Sequence, residues 1–194
     1  MVPTLKTKRL TLRPFSMSDR DVMIDTIMSD MDVMYWLPYS NAVATVEGQK
    51  EVALGYIKDF TKHWDGLGYG VWAICIRDAK LDSLGNFIGY CGFLPEQIEG
   101  AGPELAYAMK KSMWGKGLVT EALIACLDWI FVKPEVFCVH AVTDKENVAS
   151  RRVMEKISMS YKKDVNLYDS VAKGNGLLPF YSIEREAYFR EKET

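Results

Sequence analysis

The stretch KKSMWGKGLVTEAL, residues 110–123, decides how the rest of this chain is interpreted. It places Gly115 and Gly117 directly before a run with helical patterning. A simple turn between two elements explains an isolated Gly-x-Gly equally well. The alternative is an anion site, because the first turn of a helix presents unpaired N–H groups and the positive end of the helix dipole. The flanking sequence has to distinguish the two.

Two common phosphate-binding loops do not match this stretch. A nucleoside triphosphate loop reads GxxxxGK[ST], whereas here Lys110 stands at the first glycine and Gly117 at the hydroxyl position. The dinucleotide fingerprint GxGxxG needs a third glycine where the chain has Thr120, and it opens a βαβ unit. What remains is a strand, a short loop, Gly-x-Gly and a helix, followed later by a second helix that Asn147 introduces.

Composition and charge exclude several classes of protein. The 194 residues are 48% hydrophobic and 26% charged, which fits one globular domain with its own core. A net charge of −2 gives no overall attraction to nucleic acid or to an anionic membrane. The start of the chain lacks the apolar core of a signal peptide, and no apolar run approaches ~20 residues. We therefore expect a cytoplasmic protein.

The cysteines and histidines do not suggest a metal site. Four cysteines lie singly within apolar runs: Cys75, Cys91, Cys126 and Cys138. Without a CxxC or a Cys/His cluster, they are expected to be buried reduced thiols. The two histidines, His63 and His140, are far apart, and His140 lies in the strand-like FCVHAVT, where a hydrogen-bonded structural histidine is expected.

Hydrophobic periodicity predicts an α/β fold with a mixed sheet. Strands first follow one another and then alternate with helices. The predicted strands lie within 8–15, 69–78, 86–94, 103–110, 135–143, 160–168 and 180–189. The predicted helices lie within 19–29, 45–64, 118–131 and 149–157. Ser18, Thr45 and Asn147 are the predicted N-caps, and Gly48 stands where a capping box prefers Glu or Gln.

Three segments together carry a family resemblance: TKRLTLRPF at the start, ELAYAMKKSMWGKGLVTEAL in the centre and VTDKENVASRRVMEKISM after it. In this order and spacing they resemble the GNAT superfamily of N-acetyltransferases. Within it, the chain is similar to the ribosomal-protein N-terminal (alanine/serine) acetyltransferases. The resemblance implies a single GNAT-type domain over residues 1–194, with a mixed, mostly antiparallel central sheet flanked by helices. It also implies acetyl-CoA as the acetyl donor and no metal.

The resemblance assigns the cofactor-binding residues. The pyrophosphate of coenzyme A would lie against the amides of Gly115 to Thr120, and the pantetheine arm would pair with the preceding strand. Lys111 and Lys116 are possible phosphate partners, although either lysine could equally be a solvated surface residue. The expected cofactor-binding residues are Ala108, Met109, Lys111, Gly115, Lys116, Gly117, Leu118, Val119, Thr120 and Asn147.

Two residues are expected to carry the proton transfers. Glu104 matches a glutamate that serves as general base in related enzymes, and the alternative is a solvated carboxylate at a strand edge. Many relatives use a tyrosine as acid where this chain has Met154. Ser150, which matches a serine of the favoured branch, is therefore expected to donate a proton to the leaving sulfur or to hydrogen-bond it. The alternative for Ser150 is an ordinary residue at a helix start.

One departure from the family pattern concerns the end of a helix. The segment that commonly reads EKxGF is EKISM here, so Ser158 stands where glycine would end the helix. If the backbone is left-handed at that position, serine costs on the order of 1 kcal/mol relative to glycine.

The acceptor is expected to contact the aromatic loop MYWLPYSN through Tyr35, Trp36 and Tyr39. The preferred hypothesis is direct acetyl transfer to a primary amine, with a protein N-terminal amine as one acceptor. The alternatives are a small amine such as a polyamine or an amino-sugar antibiotic, or a non-catalytic coenzyme A-binding protein of the same fold. We expect a monomer or homodimer that contacts neither nucleic acid nor membrane.

Overall fold

A computed structural model describes residues 2–167 and 176–192. In this part of the chain, eight strands form one sheet in the order β1-β2-β3-β4-β5-β6-β8-β7. The strands are β1 (Leu5–Lys6), β2 (Leu10–Arg13), β3 (Val71–Ile76), β4 (Phe87–Leu94), β5 (Glu104–Met109), β6 (Cys138–Val142), β7 (Ser160–Asn166) and β8 (Leu177–Glu184). The helices are α1 (Arg20–Met23), α2 (Met31–Met34), α3 (Val46–Leu67), α4 (Leu118–Ile130), α5 (Val148–Lys156) and α6 (Arg185–Lys192).

The sheet is mixed and mostly antiparallel, as predicted. Each neighbouring pair of described strands is antiparallel except β5 with β6, which run parallel. Helices cover both faces, so a central strand is buried on both sides and reads as a continuous apolar run. The cluster on the α4 side contains Trp72, Ile74 and Ile76, and the cluster on the α3 side contains Val71, Ala73 and Cys75.

The first helical region differs from the prediction. Ser18 is not the cap; the turn begins after Ser16, whose N–H donates to the Asp19 carboxylate at 2.8 Å. The guanidinium of Arg13, on β2, donates two hydrogen bonds to the same carboxylate, at 2.6 and 2.8 Å. The expected single helix is also divided, because a π-helical turn over Ile24–Met28 separates α1 from the short α2. The Arg13–Asp19 pair therefore determines where this region leaves the sheet.

The start of α3 agrees with the prediction and explains its unusual glycine. Thr45 caps the helix, since its hydroxyl oxygen accepts the N–H of Gly48 at 3.0 Å. A Cβ added at position 48 would lie 1.7 Å from the carbonyl oxygen of Ala42. A side chain there is incompatible with the preceding turn, so the reciprocal half of a capping box is absent for a steric reason.

The end of the chain was predicted as one strand, and this is wrong. β8 ends at Glu184 and the chain continues as the helix α6. The aromatic residues of this segment pack from a helix: Tyr188 lies 5.3 Å from the ring of Phe131, and its hydroxyl donates to the Asp128 carboxylate at 2.9 Å. Aromatic content suits a strand, but here it serves to dock α6 against α4.

The cysteines partly follow expectation. All four are free; Cys75, Cys91 and Cys126 are buried, whereas Cys138 is partly exposed at the start of β6.

Within residues 2–167 and 176–192, no helix combines the length and the apolar character that crossing a membrane requires. Tyr168, the last residue of the predicted strand 160–168, lies outside the described residues.

Ser158 ends α5 in the left-handed conformation that the sequence suggested, with φ of +67°. Its N–H donates to the carbonyl of Glu155 at 3.1 Å, and the next N–H, of Met159, reaches the carbonyl of Met154 at 3.0 Å. This is a helix end that glycine satisfies without steric conflict.

Replacing Ser158 by Gly should therefore raise the free energy of unfolding by about 0.5–1 kcal/mol, because the left-handed backbone disfavours a Cβ. Urea unfolding at neutral pH measures the change. Ser160→Gly, at the start of the exposed strand β7, is the matched control and should destabilise the protein, since glycine weakens a strand. A loss of stability in both variants would contradict the expectation for Ser158.

Candidate active site

A cavity of about 970 Å³ opens where two strands of the sheet separate. The parallel strands β5 and β6 share one residue pair, Glu104 with His140. Beyond that pair, residues 104–109 of β5 form one wall, and residues 142–144 with the first turns of α5 form the opposite wall. The N-terminus of α4 lies at one end, and α3 with the aromatic loop before it lies at the other.

The glycine loop and the start of α4 form one end of this cavity. Gly115 and Gly117 are both left-handed, with φ of +73° and +70°, and Gly117 is the N-cap of α4. The N–H groups in the first turn have no acceptors within the helix, and residues 117–120 line the cavity. A Cβ at Gly115 would meet nothing within 4 Å, so its backbone conformation, not crowding, calls for glycine there. The simple-turn alternative does not account for the cavity that these amides line.

The start of the chain holds this loop in place. The Glu121 carboxylate, in the first turn of α4, accepts the hydroxyl of Thr7 at 2.5 Å and the main-chain N–H and Nε–H of Arg9 at 2.8 and 2.6 Å. The Arg9 guanidinium also donates to the Lys116 carbonyl at 3.0 Å. Burial acts to raise the pKa of Glu121, but the hydrogen bonds from Thr7 and Arg9 hold it below its ordinary value of 4.5. The segments TKRLTLRPF and GKGLVTE are thus joined by one carboxylate.

Glu104 lies at the floor of the cavity and is not solvated, since its side chain is 7% exposed. Behind it, the His140 ring is fully buried, with Nε2 at 3.8 Å from a Glu104 carboxylate oxygen. His140 Nδ1 lies 2.9 Å from the Gly102 carbonyl and 3.3 Å from that of Ala101. The expected structural histidine is therefore only half hydrogen-bonded, because Nε2 has no hydrogen-bond partner among the described residues.

Ser150 lies across the cavity from β5 and contacts a residue that the sequence analysis missed. Asn147 caps α5 as predicted, because its side-chain oxygen accepts the N–H of Ser150 at 3.1 Å. The Ser150 hydroxyl oxygen is 2.7 Å from the hydroxyl of Tyr107 on β5. Burial raises the pKa of Tyr107 to about 12, against the opposing effect of the Ser150 hydrogen bond. A partly buried tyrosine between Ala106 and Ala108 was the available signal, because its hydroxyl needs a partner.

Most of the predicted cofactor residues meet in this cavity, and two lysines do not. The members that line it are Ala108, Met109, Gly115, Gly117, Leu118, Val119, Thr120 and Asn147. Lys111 lies outside the lining and pairs with Asp32. Lys116 also lies outside, with its ammonium 3.7 Å from the Met113 sulfur. The main-chain carbonyl of Met109 accepts the indole N–H of Trp114 at 2.6 Å, so one of its two acceptor positions is occupied.

The other end of the cavity is aromatic and acidic. Of the three aromatic residues expected to contact the acceptor, Trp36 and Tyr39 line this end. Tyr35 lies outside the lining and packs edge-on against Trp36, with ring centroids 4.7 Å apart. Sequence reasoning missed further lining residues of this end, among them Glu51, Tyr56, Asp59 and Tyr90. The first three come from α3 and Tyr90 comes from β4. Carboxylates beside aromatic faces favour a cationic ligand.

The carboxylate that joins the N-terminal segment to α4 provides a test of stability. Glu121→Gln should lower the free energy of unfolding at neutral pH by about 1 kcal/mol, since an amide replaces an ionised acceptor at a partly exposed site. The folded-state pKa is below the unfolded-state value, so the ionised carboxylate contributes fully above about pH 4.5 and its contribution is lost as the pH falls below that.

Urea unfolding at about pH 7 and about pH 3.5 measures the free energy of unfolding of the wild type and of Glu121→Gln. The difference between these two free energies should be smaller at the lower pH. Glu47→Gln is the matched control, because Glu47 lies in the first turn of α3 and is exposed. An equal loss in the Glu47→Gln variant would assign the effect to the helix dipole instead of the hydrogen bonds from Thr7 and Arg9.

Comparisons with known proteins agree with this geometry. Residues 9–160 match the family model of the acetyltransferase (GNAT) domain. The chain is 31% identical to the uncharacterized protein YkkB of Bacillus subtilis (strain 168), over 95% of this chain and 96% of YkkB. It is 26% identical to the uncharacterized N-acetyltransferase p20 of Bacillus licheniformis, over 88% of this chain and 89% of p20.

A solved structure with the same fold comes from the branch that the sequence resembles. RimL, a ribosomal L7/L12 α-N-protein acetyltransferase crystallised with coenzyme A, superposes with a TM-score of 0.75 at 15% identity, covering 95% of this chain and 99% of RimL. At that identity the likeness concerns the fold. Together with the match over residues 9–160, it confirms the family that the three sequence segments predicted: the chain belongs to the GNAT acetyltransferases.

Proposed function

We propose that this protein is an acetyl-CoA-dependent N-acetyltransferase that transfers the acetyl group directly to a primary amine. One observation carries the proposal: a single cavity joins a helix N-terminus, which suits the phosphates of a coenzyme, to the buried carboxylate of Glu104, which suits an ammonium group. The aromatic and acidic end of the cavity gives the acceptor a place beyond Glu104.

The residues present fit coenzyme A. The amides of Gly115 to Thr120 would hold the pyrophosphate. Ala108 pairs with β4 on one side, but on its other side β6 no longer pairs with β5. An extended pantetheine arm would occupy that edge as an added strand does. The bound thioester supplies the acetyl group, and RimL, a protein of the same fold, was solved with coenzyme A. Lys111 and Lys116 remain less suited, since both side chains lie outside the cavity lining.

Glu104 would act as the general base. A primary amine is largely an ammonium ion at neutral pH and must lose a proton before it can attack a thioester. A buried carboxylate within the cavity attracts the cation and accepts that proton, directly or through one water. Glu51 and Asp59 add negative charge along the route from α3 toward Glu104.

Ser150 and Tyr107 would assist the leaving thiolate. A tyrosine with a pKa of about 12 stays protonated beside a thiol whose ordinary pKa is about 8.5, so Tyr107 does not give up its proton. With the Tyr107 O–H donating to the Ser150 hydroxyl oxygen, the Ser150 proton would be directed to the sulfur, to which it would hydrogen-bond. Met154, at the position where relatives carry a tyrosine, lines the cavity but has no proton to donate.

The principal test uses Glu104→Gln with a panel of acceptors. Turnover should fall by roughly 10²–10⁴-fold, because the amide cannot accept a proton, while acetyl-CoA should stabilise the variant as it does the wild type. Thiol release is measured with N-terminal peptides, polyamines and amino sugars in parallel. Glu99→Gln, in the exposed loop before β5, is the control and should turn over at the wild-type rate.

The outcomes separate the competing functions. Release with peptides and not with small amines identifies a protein N-terminal acceptor, and the reverse identifies a small-amine acetyltransferase. Stabilisation by acetyl-CoA with no release from any amine would support the non-catalytic coenzyme A-binding alternative. A Glu104→Gln enzyme with the wild-type rate would remove Glu104 from the mechanism.

A second test concerns the Ser150–Tyr107 pair. Ser150→Ala should lower turnover by about 10–100-fold, less than the loss of the base, because a thiolate is a fairly good leaving group. Tyr107→Phe should give a similar loss, and the double variant should be no slower than the slower single variant, since both changes remove one hydrogen-bonded unit.

Tyr181→Phe is the matched control. Its hydroxyl also contacts α5, accepting the Arg151 guanidinium at 3.1 Å, so it reports the cost of removing a buried hydroxyl at the same helix. Losses for Ser150→Ala and Tyr107→Phe that multiply in the double variant would show that the two residues act independently.

A further inference from the structure

The buried imidazole of His140 has one nitrogen, Nδ1, that is hydrogen-bonded, and one, Nε2, that has no hydrogen-bond partner among the described residues. The ring stacks on Phe180 with centroids 5.4 Å apart and planes inclined by 21°. Nδ1 lies 2.9 Å from the Gly102 carbonyl oxygen, and a carbonyl only accepts, so Nδ1 must carry a hydrogen. A neutral imidazole has a single N–H, which leaves Nε2 with a lone pair.

That lone pair faces the carboxyl group of Glu104. Nε2 is fully buried, lies 3.8 Å from a Glu104 oxygen, and has no hydrogen-bond partner in the described part of the chain. A buried acceptor without a donor is unfavourable, and a neighbouring ionised carboxylate adds repulsion. A protonated carboxyl group in the same place would donate to Nε2 and remove both effects. Nε2 can therefore accept a hydrogen bond from Glu104 only when the carboxyl group carries a proton.

Other titratable groups surround the ring without replacing Glu104. Glu96 belongs to the loop before β5, Cys138 to β6, Lys163 to β7 and Glu184 to β8. Lys163 lies on the Phe180 ring, 6.0 Å from its centroid, and Cys138 contacts the Gly100 carbonyl.

Burial lowers the pKa of His140, and the contacts with Ala101 and Gly102 and the charge of Glu96 oppose this only in part. The imidazole is accordingly neutral at pH 7, with Nε2 able to accept.

We propose that His140 is a positioning residue for the base: Nε2 accepts a hydrogen bond from the Glu104 carboxyl group whenever Glu104 has taken the proton of the acceptor ammonium. This rests on the proposed role of Glu104 as general base. The N–H bond of the ammonium breaks, an O–H bond forms on Glu104, and the new O–H points at Nε2. The carboxyl group needs to move by about 1 Å to reach ordinary hydrogen-bond distance. The Gly102 carbonyl keeps Nε2 as the acceptor by holding the hydrogen on Nδ1.

A purely structural histidine and a positioning histidine differ in which nitrogen matters. The structural role needs only a donor at the place of Nδ1, which fastens the loop at Gly102 to β6. The positioning role needs an acceptor at the place of Nε2. The amide of Asn reaches about as far as Nδ1, and the amide of Gln about as far as Nε2, so His140→Asn and His140→Gln separate the two.

His140→Asn should fold and bind acetyl-CoA but lose about tenfold in kcat, with KM for the amine little changed. The low-pH limb of its rate profile should move to lower pH by about half to one unit, since one hydrogen bond to the protonated carboxyl group is lost. His140→Gln, whose amide oxygen can accept, should recover part of both effects. A wild-type pH profile in His140→Asn would overturn the proposal and leave His140 a structural residue.

A spectroscopic test does not need turnover or a change at His140. The chain has two histidines, so His63→Gln leaves His140 as the single imidazole. Its ¹⁵N spectrum should show the tautomer with hydrogen on Nδ1, and the Nε2 resonance should shift in one step as Glu104 takes up a proton. That step should be absent in the His63→Gln/Glu104→Gln variant.

Hydrogen on Nε2 at neutral pH, or a step that persists without Glu104, would refute the proposal. If the wild type acetylates no amine in the panel, the proposed function fails, and the nitrogen resonances still decide whether Glu104 and His140 share a proton.

Discussion

The site depends on the way β5 and β6 meet. Parallel neighbours normally pair along their length, but these strands share only the pair Glu104 and His140. There the main-chain N–H of His140 donates to the Pro103 carbonyl at 3.1 Å. Because the strands separate beyond this pair, β5 keeps an edge to which an extended ligand can bind, and the space between the strands becomes the cavity. Glu104 and His140, the shared pair, are also the most polar side chains of the two strands, and they lie side by side at the point where the cavity begins.

A second constraint links distant parts of the chain to this opening. The glycine loop contains two left-handed residues, Gly115 and Gly117, and a distant segment of the chain helps to hold it in place. Thr7 and Arg9 lie in the turn between β1 and β2, at one edge of the sheet, and they bind the first turn of α4 through Glu121. A segment near the start of the chain and a segment past its middle are therefore recognisable together in the sequence, because they form one structural unit at the end of the cavity that the first turn of α4 lines.

The sequence predicted what local chemistry determines and missed what depends on long-range contacts. Strand β3, the Thr45 cap and the left-handed Ser158 follow from burial on both faces, a hydroxyl acceptor and a family pattern. α6 was mispredicted because the aromatic residues suggested a strand, whereas Tyr188 packs on α4. The Tyr107–Ser150 contact joins residues 43 positions apart, and the fold alone brings them together. Likewise the sequence does not reveal that Lys111 has Asp32, 79 positions away, as its partner.

The two candidate reactive side chains share an arrangement, since each contacts a neutral partner: Glu104 lies beside the buried His140, and Ser150 beside the partly buried Tyr107. Neutral partners leave the negative charge of Glu104 intact to attract an ammonium ion, which a cationic histidine at 3.8 Å would offset. The two proton transfers are unequal in difficulty. An alkyl ammonium with a pKa of about 10.4 resists deprotonation at pH 7 far more than a peptide α-ammonium at about 7.8. In the proposed mechanism, the hydrogen bond from Glu104 to His140 therefore contributes most when the amine that receives the acetyl group is strongly basic. The leaving thiolate, with an ordinary thiol pKa of about 8.5, needs only the weaker help of a serine hydroxyl.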